Sequence, residues 1–287
     1  MMRRERTIVP SVAVLLCVSA LIALRCGTSG DLAGGSGAGN PGVTASVSIM
    51  ADTGLGAPPL SRASIDGIDG GRTVPLVDDD GLVLTASSAL VTVYAIHFIL
   101  EDSEDCEALL DSFDGDLVCD SENIVLPGPF VFDAVTGNAD SLFDTLQLPS
   151  ARYRGMKLVV GCEGDADSSR CRPVEIFGTF EYRGETRVFD FQIDFSDRPL
   201  YHYTGPPQLL EPADTALFSV TLDVSSWLDS VDVAADLDAG TIALDSTGTL
   251  VIDSGASPAQ GRDIINAVRK NLRDAFAGAE FDLVKSP

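Results

Sequence analysis

The chain has 287 residues, of which 45% are hydrophobic, and its 43 acidic against 19 basic side chains give a net charge of −24. So negative a chain makes nucleic acid a very poor partner, because the phosphate backbone would be repelled. The hydrophobic content excludes a disordered polyanion, and the length is sufficient for one large β domain or two small ones.

The start of the chain predicts an export signal. Arg3, Arg4 and Arg6 precede the run Ile8–Leu24, which contains no charged side chain. A basic stretch followed by an apolar stretch is typical of a signal peptide, here residues 1–25. The protein is therefore expected in the cell envelope or outside the cell.

Residues 26–42 are predicted to be a tether that begins at a lipid-bearing cysteine. The segment is rich in glycine and poor in apolar side chains, which is typical of a flexible linker. Ala23-Leu24-Arg25-Cys26 resembles the signal before the lipidated cysteine of bacterial lipoproteins, with Leu24 and Arg25 in place of the usual small residues. Lipidation at Cys26 would leave four later cysteines to pair. The alternatives are an ordinary cleaved signal peptide and an uncleaved membrane anchor.

Alternating and apolar patterns predict strands along most of the remaining chain. Val43–Met50 alternates apolar and polar side chains, which indicates a strand with one buried face. Ala89–Leu100 is apolar on both faces, which is typical of a central strand. Shorter strands are predicted at Phe130–Val135, Tyr153–Gly161, Phe218–Val224 and Leu250–Ile252.

The clearest unit is a β-hairpin within Glu175–Phe195. Its second strand alternates apolar with polar side chains, and its first strand pairs back across the turn Arg183-Gly184-Glu185. A short helical turn is also predicted from Ser225, and it carries Trp227 and Leu228.

One amphipathic helix is predicted near the C-terminus. Ser257 is suited to cap this helix and Pro258 to occupy its first turn. Gly278 is suited to end it. Four apolar residues fall four apart on one face of the helix: Ile264, Val268, Leu272 and Phe276.

These elements predict a mainly β protein. Many short strands with turn residues between them favour an antiparallel β-sandwich, of the immunoglobulin-like or carbohydrate-binding-like type. The sandwich is expected over residues 43–255, and residues 256–287 are expected to form the C-terminal amphipathic helix and a tail.

Several segments together resemble a family of uncharacterised bacterial envelope lipoproteins. They are the tether, the strand Val43–Ala51, the segment Leu148–Leu158 and the turn Ser225–Asp229. The resemblance implies a β-sandwich domain of unknown function located in the cell envelope. It implies no catalytic residue, because the matching segments are core and turn positions.

The cysteines after the tether fall into two local pairs. Cys106 and Cys119 bracket an acidic segment, and Cys162 and Cys171 bracket a polar loop. In an exported protein such pairs are typical of disulfides, and both bridges are predicted. Metal binding is the alternative, but the chain has no Cys-x-x-Cys spacing and contains two histidines.

The acidic segment Glu101–Glu122 is a candidate calcium site. It carries ten carboxylates and no basic residue, and oxygen ligands crowded in a closed loop suit calcium. The candidate ligands are Asp111, Asp114 and Asp116, although their order is not that of a recognisable calcium loop. The alternative is a solvated acidic loop, and no other cofactor is expected.

The long loop Asp197–Thr215 is a candidate ligand-contact site. Tyr201 and Tyr203 flank His202, and such a group can form a sugar-stacking or protein-contact surface. The alternative is a loop that packs its own aromatic side chains over a sheet edge. His97, within the central strand, is expected to be a core histidine bonded to backbone.

These features predict a surface-tethered envelope lipoprotein that acts as a non-enzymatic binding or structural module. Its expected partners are the membrane, through the lipid anchor, and a glycan or an envelope protein. The outer membrane is the expected location, with the periplasm or secretion as alternatives. The alternative function is a secreted polysaccharide hydrolase, in which two carboxylates converge in one cleft and one of them has a raised pKa.

Overall fold

The computed structural model describes residues 42–52, 72–113, 115–121, 123–139, 146–161, 173–255 and 261–286. Of these residues, 51% lie in strands and 14% in helices. The predicted mainly β fold is therefore confirmed, and its sheets and C-terminal helix are those of a β-sandwich-like protein. The signal peptide and most of the tether, including Cys26, lie outside the described residues.

The described part of the chain contains fifteen strands and three helices. In chain order they are β1 (Val43–Asp52), β2 (Val74–Val77), β3 (Val83–Leu100), α1 (Cys106–Asp111), β4 (Val118–Asp120), β5 (Asn123–Asp133), β6 (Asn138–Ala139), β7 (Gln147–Leu148), β8 (Arg152–Val160), β9 (Val174–Tyr182), β10 (Glu185–Ile193), β11 (Leu200–His202), β12 (Gln208–Leu209), β13 (Thr215–Asp223), α2 (Val233–Ala239), β14 (Thr249–Asp253), α3 (Arg262–Ala277) and β15 (Glu280–Ser286).

The strands form a small and a large sheet. The small sheet has the order β15-β13-β1-β7, and the path through the large sheet runs β11-β8-β3-β9-β10-β14. Two of the strand pairs are parallel: β1 pairs with β13, and β10 pairs with β14. Parallel neighbours need a crossover connection rather than a tight turn, so the hairpin signals of the sequence do not reveal them.

The 18-residue strand β3 holds the large sheet together. Along one edge it pairs with β9 through Leu84–Val91 and then with β8 through Val93–Leu100. Along the other edge it pairs with β2 and then with β5. A strand with neighbours on both edges needs apolar side chains wherever its faces are covered, which explains the apolar run Phe98–Leu100 at its C-terminal end.

Aromatic side chains join the two sheets. The rings of Phe98 on β3 and Tyr153 on β8 both meet Phe218 on β13 edge to face, with centroids 5.0 Å and 6.0 Å away. All three residues are buried. This edge-to-face packing contributes about 0.5–1.5 kcal/mol per pair beyond the area that is buried.

The predicted apolar face of the C-terminal helix is confirmed. Its four predicted residues are buried, and the ring of Phe276 stacks on Phe195 at 5.6 Å between centroids. The helix begins later than predicted, at Arg262, after Gly261 with a φ of 67°. The predicted cap Ser257 and first-turn Pro258 lie outside the described residues.

Three other segments differ from the sequence-based expectation. The residues from Ser225 form successive turns, and the helix α2 begins only at Val233. The predicted tail is strand β15, which pairs antiparallel with β13 over seven residues. The loop Asp197–Thr215 contains β11 and β12, which both pair with β8. In the described part of the chain, no helix combines the length and apolar character that crossing a membrane requires.

Candidate functional site

A cleft of about 410 Å³ opens at the edge of the sandwich. It lies between β11, the C-terminal end of α3 and the start of β15. β11 ends the strand path of the large sheet and β15 ends the small sheet, so the cleft forms where the two sheet edges face each other. We call this site the edge cleft, and its lining residues are Leu200, Tyr201, His202, Thr204, Ala277, Ala279, Glu280, Phe281 and Asp282.

The position of β11 depends on a glycine in the neighbouring strand. His202 lies in register with Gly155 on β8, and Tyr201 with Met156. A Cβ atom added at Gly155 would lie 2.1 Å from the Tyr201 carbonyl oxygen. Only glycine therefore allows β11 to approach β8 this closely and to form one wall of the edge cleft.

Tyr201 forms the base of the cleft and fixes it to the neighbouring elements. Its side chain is buried, its hydroxyl donates to the Phe276 carbonyl at 3.1 Å, and its ring stacks on Phe281 with centroids 6.1 Å apart. Burial raises the pKa of the Tyr201 phenol above its ordinary range, and the Asp197 carboxylate adds to this effect. Tyr201 is therefore a neutral hydrogen-bond donor that ties β11 to α3.

The rim of the edge cleft is polar. Glu280 and Asp282 alternate with Phe281 along β15, so both carboxylates are exposed while the ring is half-buried. His202 and Thr204 provide an imidazole and a hydroxyl on the β11 side. The cleft thus combines aromatic side chains with hydrogen-bonding groups of both kinds, which suits contact with a polar ligand.

The structure separates the three predicted ligand-contact residues. Successive strand residues point to opposite faces, so Tyr201 is buried while His202 is exposed. Both line the edge cleft, whereas Tyr203 does not. The Tyr203 N–H instead donates to the Arg154 carbonyl at 2.8 Å. Ligand contact by these residues stays a prediction, and it now concerns a cleft rather than a flat aromatic surface.

The β15 side of the cleft was missed by the sequence analysis. Glu280 and Asp282 belong to a segment that was predicted only as a tail. Their alternation with Phe281 and Leu283 is the signal that indicates a strand with one polar face. Because α3 and β15 are close in sequence but β11 is not, no local pattern shows that they meet.

The acidic segment after β3 is closed by a disulfide, as predicted. Cys106 and Cys119 are bonded, with their Cα atoms 6.0 Å apart. Cys106 begins α1, where the Asp105 carboxylate accepts from the Ala108 N–H at 3.2 Å. The other predicted pair, Cys162 and Cys171, lies outside the described residues.

The calcium hypothesis stays untested. Asp111 ends α1, Asp116 is exposed in a turn, and Asp114 is outside the described residues. Among the residues that the structure describes, no group of three or more histidine, cysteine, aspartate or glutamate side chains is arranged to hold a metal ion.

A second acidic group lies beside α2 and has a structural role. The buried Asp78 accepts from the Leu82 N–H at 2.7 Å and from the Val233 N–H at 3.0 Å. Partial desolvation raises the pKa of Asp232, and the charges of Asp80, Asp79, Asp78 and Asp236 add to that shift. Asp232 does not line the edge cleft, so the carboxyl group with the raised pKa is not one of the carboxyl groups of the cleft.

Comparison of the chain with protein-family models, with curated proteins and with solved structures yields no significant match. The resemblance to envelope lipoproteins therefore stays an expectation from the sequence.

Proposed function

We propose that the chain is a non-enzymatic binding module of the bacterial envelope that holds a neutral glycan in the edge cleft. In this proposal, a lipid on Cys26 anchors the module at the outer membrane. Without that lipid, the module would be periplasmic or secreted. The observation that supports it is the cleft itself, with an aromatic base and a rim of hydrogen-bonding side chains.

The chemistry of the rim favours a sugar. Glu280 and Asp282 are acceptors for hydroxyl donors, and Thr204 both donates and accepts. The apolar face of a sugar ring suits the side chains of Leu200 and Phe281. A neutral ligand also experiences no net repulsion from a chain with a charge of −24.

The alternative hydrolase has weaker support. A glycosidase mechanism needs a carboxyl with a raised pKa facing a second carboxylate across the substrate. Among the described residues, Asp232 has a raised pKa, and it stands beside α2 among carboxylates that accept backbone N–H groups. In the edge cleft, Glu280 and Asp282 are two residues apart on the same face of one strand. They therefore lie side by side and do not face each other across a substrate.

Binding can be measured by calorimetry with neutral disaccharides, among them the dimer of N-acetylglucosamine. Asp282→Asn and Glu280→Gln together should weaken binding about tenfold, because a hydrogen bond to a charged acceptor contributes about 1.5–3 kcal/mol. Asp263→Asn, an exposed carboxylate on α3, is the matched control and should bind as the unchanged protein does. Equal affinities for all three proteins, or no binding of any disaccharide, would rule out this function for the cleft.

The proposed anchor has its own test. Cys26→Ala should release the protein to the soluble fraction and abolish labelling by a fatty-acid analogue, because the thiol is the proposed attachment point. Cys17→Ala, within the apolar part of the signal, is the matched control and should leave labelling unchanged. Labelling that survives Cys26→Ala would show that the lipid, if there is one, is attached elsewhere.

A further inference from the structure

We propose that His97, Lys157 and Arg198 form a second binding site, for a single carboxylate group, on the face of the large sheet that points away from the small sheet. This site shares Leu200 with the edge cleft but does not depend on the function proposed for that cleft. We call it the carboxylate site.

The strand register brings the three side chains to one face. His97 on β3 is directly opposite Lys157 on β8, and Lys157 is opposite Leu200 on β11. Residues in register share a face, with Cβ atoms about 5 Å apart. The neighbouring Phe98 points to the small sheet, where it meets Phe218, so His97 points the other way.

Arg198 joins this face from the extended segment before β11. Asp197 forms an isolated antiparallel β-bridge with Val160, and the Leu158 N–H donates to the Pro199 carbonyl. The segment therefore runs alongside β8. Pro199 is buried whereas Arg198 and Leu200 are exposed, which is the alternation of an extended chain. Arg198 therefore lies on the same side as Leu200, next to Lys157.

Within the part of the chain that the structure describes, the two cations of the site have no carboxylate partner, although the chain has more than twice as many acidic as basic side chains. Among the described residues, neither Lys157 nor Arg198 has a carboxylate oxygen within 4.0 Å. Eight other described lysines and arginines do have such a partner, for example Arg152 and Lys285. Asp197, next to Arg198, accepts from the Arg198 backbone N–H and lies near Arg273 instead.

His97 contributes an unpartnered polar atom. Its side chain is 9% exposed, and within the described part of the chain Nδ1 has no hydrogen-bond partner. Oδ2 of Asp120 lies 3.6 Å from Nδ1, close enough for an ion pair with a protonated ring but beyond hydrogen-bond distance. A buried nitrogen without a hydrogen-bond partner lowers the stability of the fold. A ligand oxygen that bonds to this nitrogen would gain that free energy on binding.

The charges around His97 select a monoanion. Burial lowers the pKa of His97, and the charges of Lys157 and Arg198 lower it further, while Asp120 opposes them. At neutral pH the site therefore holds two positive charges and one negative charge. One carboxylate group neutralises the net positive charge of the site. A dianion would be repelled by Asp120, and a polyanion would be repelled by the negative charge of the whole chain.

The surroundings favour a carboxylate attached to an apolar group. His97 belongs to a row of residues that lie in register across neighbouring strands. Val118 on β4 is at one end of this row and Leu200 on β11 is at the other, and their side chains are 50% and 51% exposed. The guanidinium of Arg198 presents the paired N–H donors that match the two oxygens of a carboxylate. Benzoate is therefore the probe, with acetate as the version that lacks the apolar part.

The two histidines of the chain allow a direct test in the full-length protein. Proton NMR follows the C2–H signals of His97 and His202 through a pH titration in sodium benzoate and in sodium chloride at equal ionic strength. Benzoate should raise the pKa of His97 by about 0.5, because bound anion favours the protonated ring about threefold. Acetate should cause a smaller rise, and the His202 signal should not depend on which salt is present.

Substitutions then identify the groups that bind the anion. Lys157→Gln and Arg198→Gln, both at solvent-accessible positions, should each remove the benzoate effect on His97. Lys270→Gln on α3 removes an exposed lysine of the same charge elsewhere and should leave the effect unchanged. A His97 pKa that is the same in benzoate and chloride, or an effect that persists in Lys157→Gln, would overturn the carboxylate site.

Discussion

Asp78→Ala is expected to lower the free energy of unfolding by about 3 kcal/mol. The Asp78 carboxylate is buried and accepts from two backbone N–H groups, those of Leu82 and Val233. Alanine leaves both donors without a partner, and each buried donor without one costs about 1–3 kcal/mol. The loss should be large because Asp78 joins the turn before β3 to the first residue of α2, which lie 155 positions apart in the chain.

Urea denaturation followed by circular dichroism measures this loss, and two variants calibrate it. Asp78→Asn retains one acceptor oxygen, so its loss should be about half as large. Asp80→Ala removes an exposed carboxylate two residues away and should change stability by less than about 0.5 kcal/mol. If Asp78→Ala were as stable as Asp80→Ala, the two hydrogen bonds would not tie the turn before β3 to α2.

Local patterns in the sequence predicted the parts of the fold that are fixed locally. The hairpin β9–β10 depends on residues next to its own turn, and the turn Arg183-Gly184 lies where it was predicted. The apolar face of α3 is also correct, because a period of 3.6 residues is a property of the helix alone. Boundaries were less accurate, since Gly261 rather than Ser257 precedes the first turn of α3.

Features that depend on distant parts of the chain were not predictable in the same way. β1 pairs in parallel with β13, so that Thr44 is opposite Thr215, and no short motif encodes that partner. The edge cleft is a similar case, because it joins β11 to β15 across some 80 residues. Tyr201 was recognised as a candidate from its aromatic neighbours, whereas its burial against Phe276 follows only from the position of α3.

The Cys106–Cys119 disulfide is expected to contribute about 3 kcal/mol to the free energy of unfolding. The two cysteines are 13 residues apart, and in the chain-entropy model a bridge of that span restricts the unfolded chain by about this amount. The bridge also supports α1, whose six residues are too few to form a stable helix alone. Replacing both cysteines by serine should therefore remove most of this energy and destabilise the acidic segment.

Denaturation of the Cys106→Ser, Cys119→Ser double variant measures the energy, and hydrogen exchange locates the effect. Exchange should accelerate first in α1 and β4, whereas the hairpin β9–β10 should keep its protection, because it is fixed by its own pairing. Mass mapping of unreduced peptides should find a second link, Cys162–Cys171, and Cys162→Ser with Cys171→Ser is the matched control. This control removes a bridge of similar span, so by the chain-entropy argument it should cost a similar energy while exchange in α1 stays slow. Equal acceleration of α1 in both double variants would mean that the disulfides act on the whole sandwich and that neither holds its own segment.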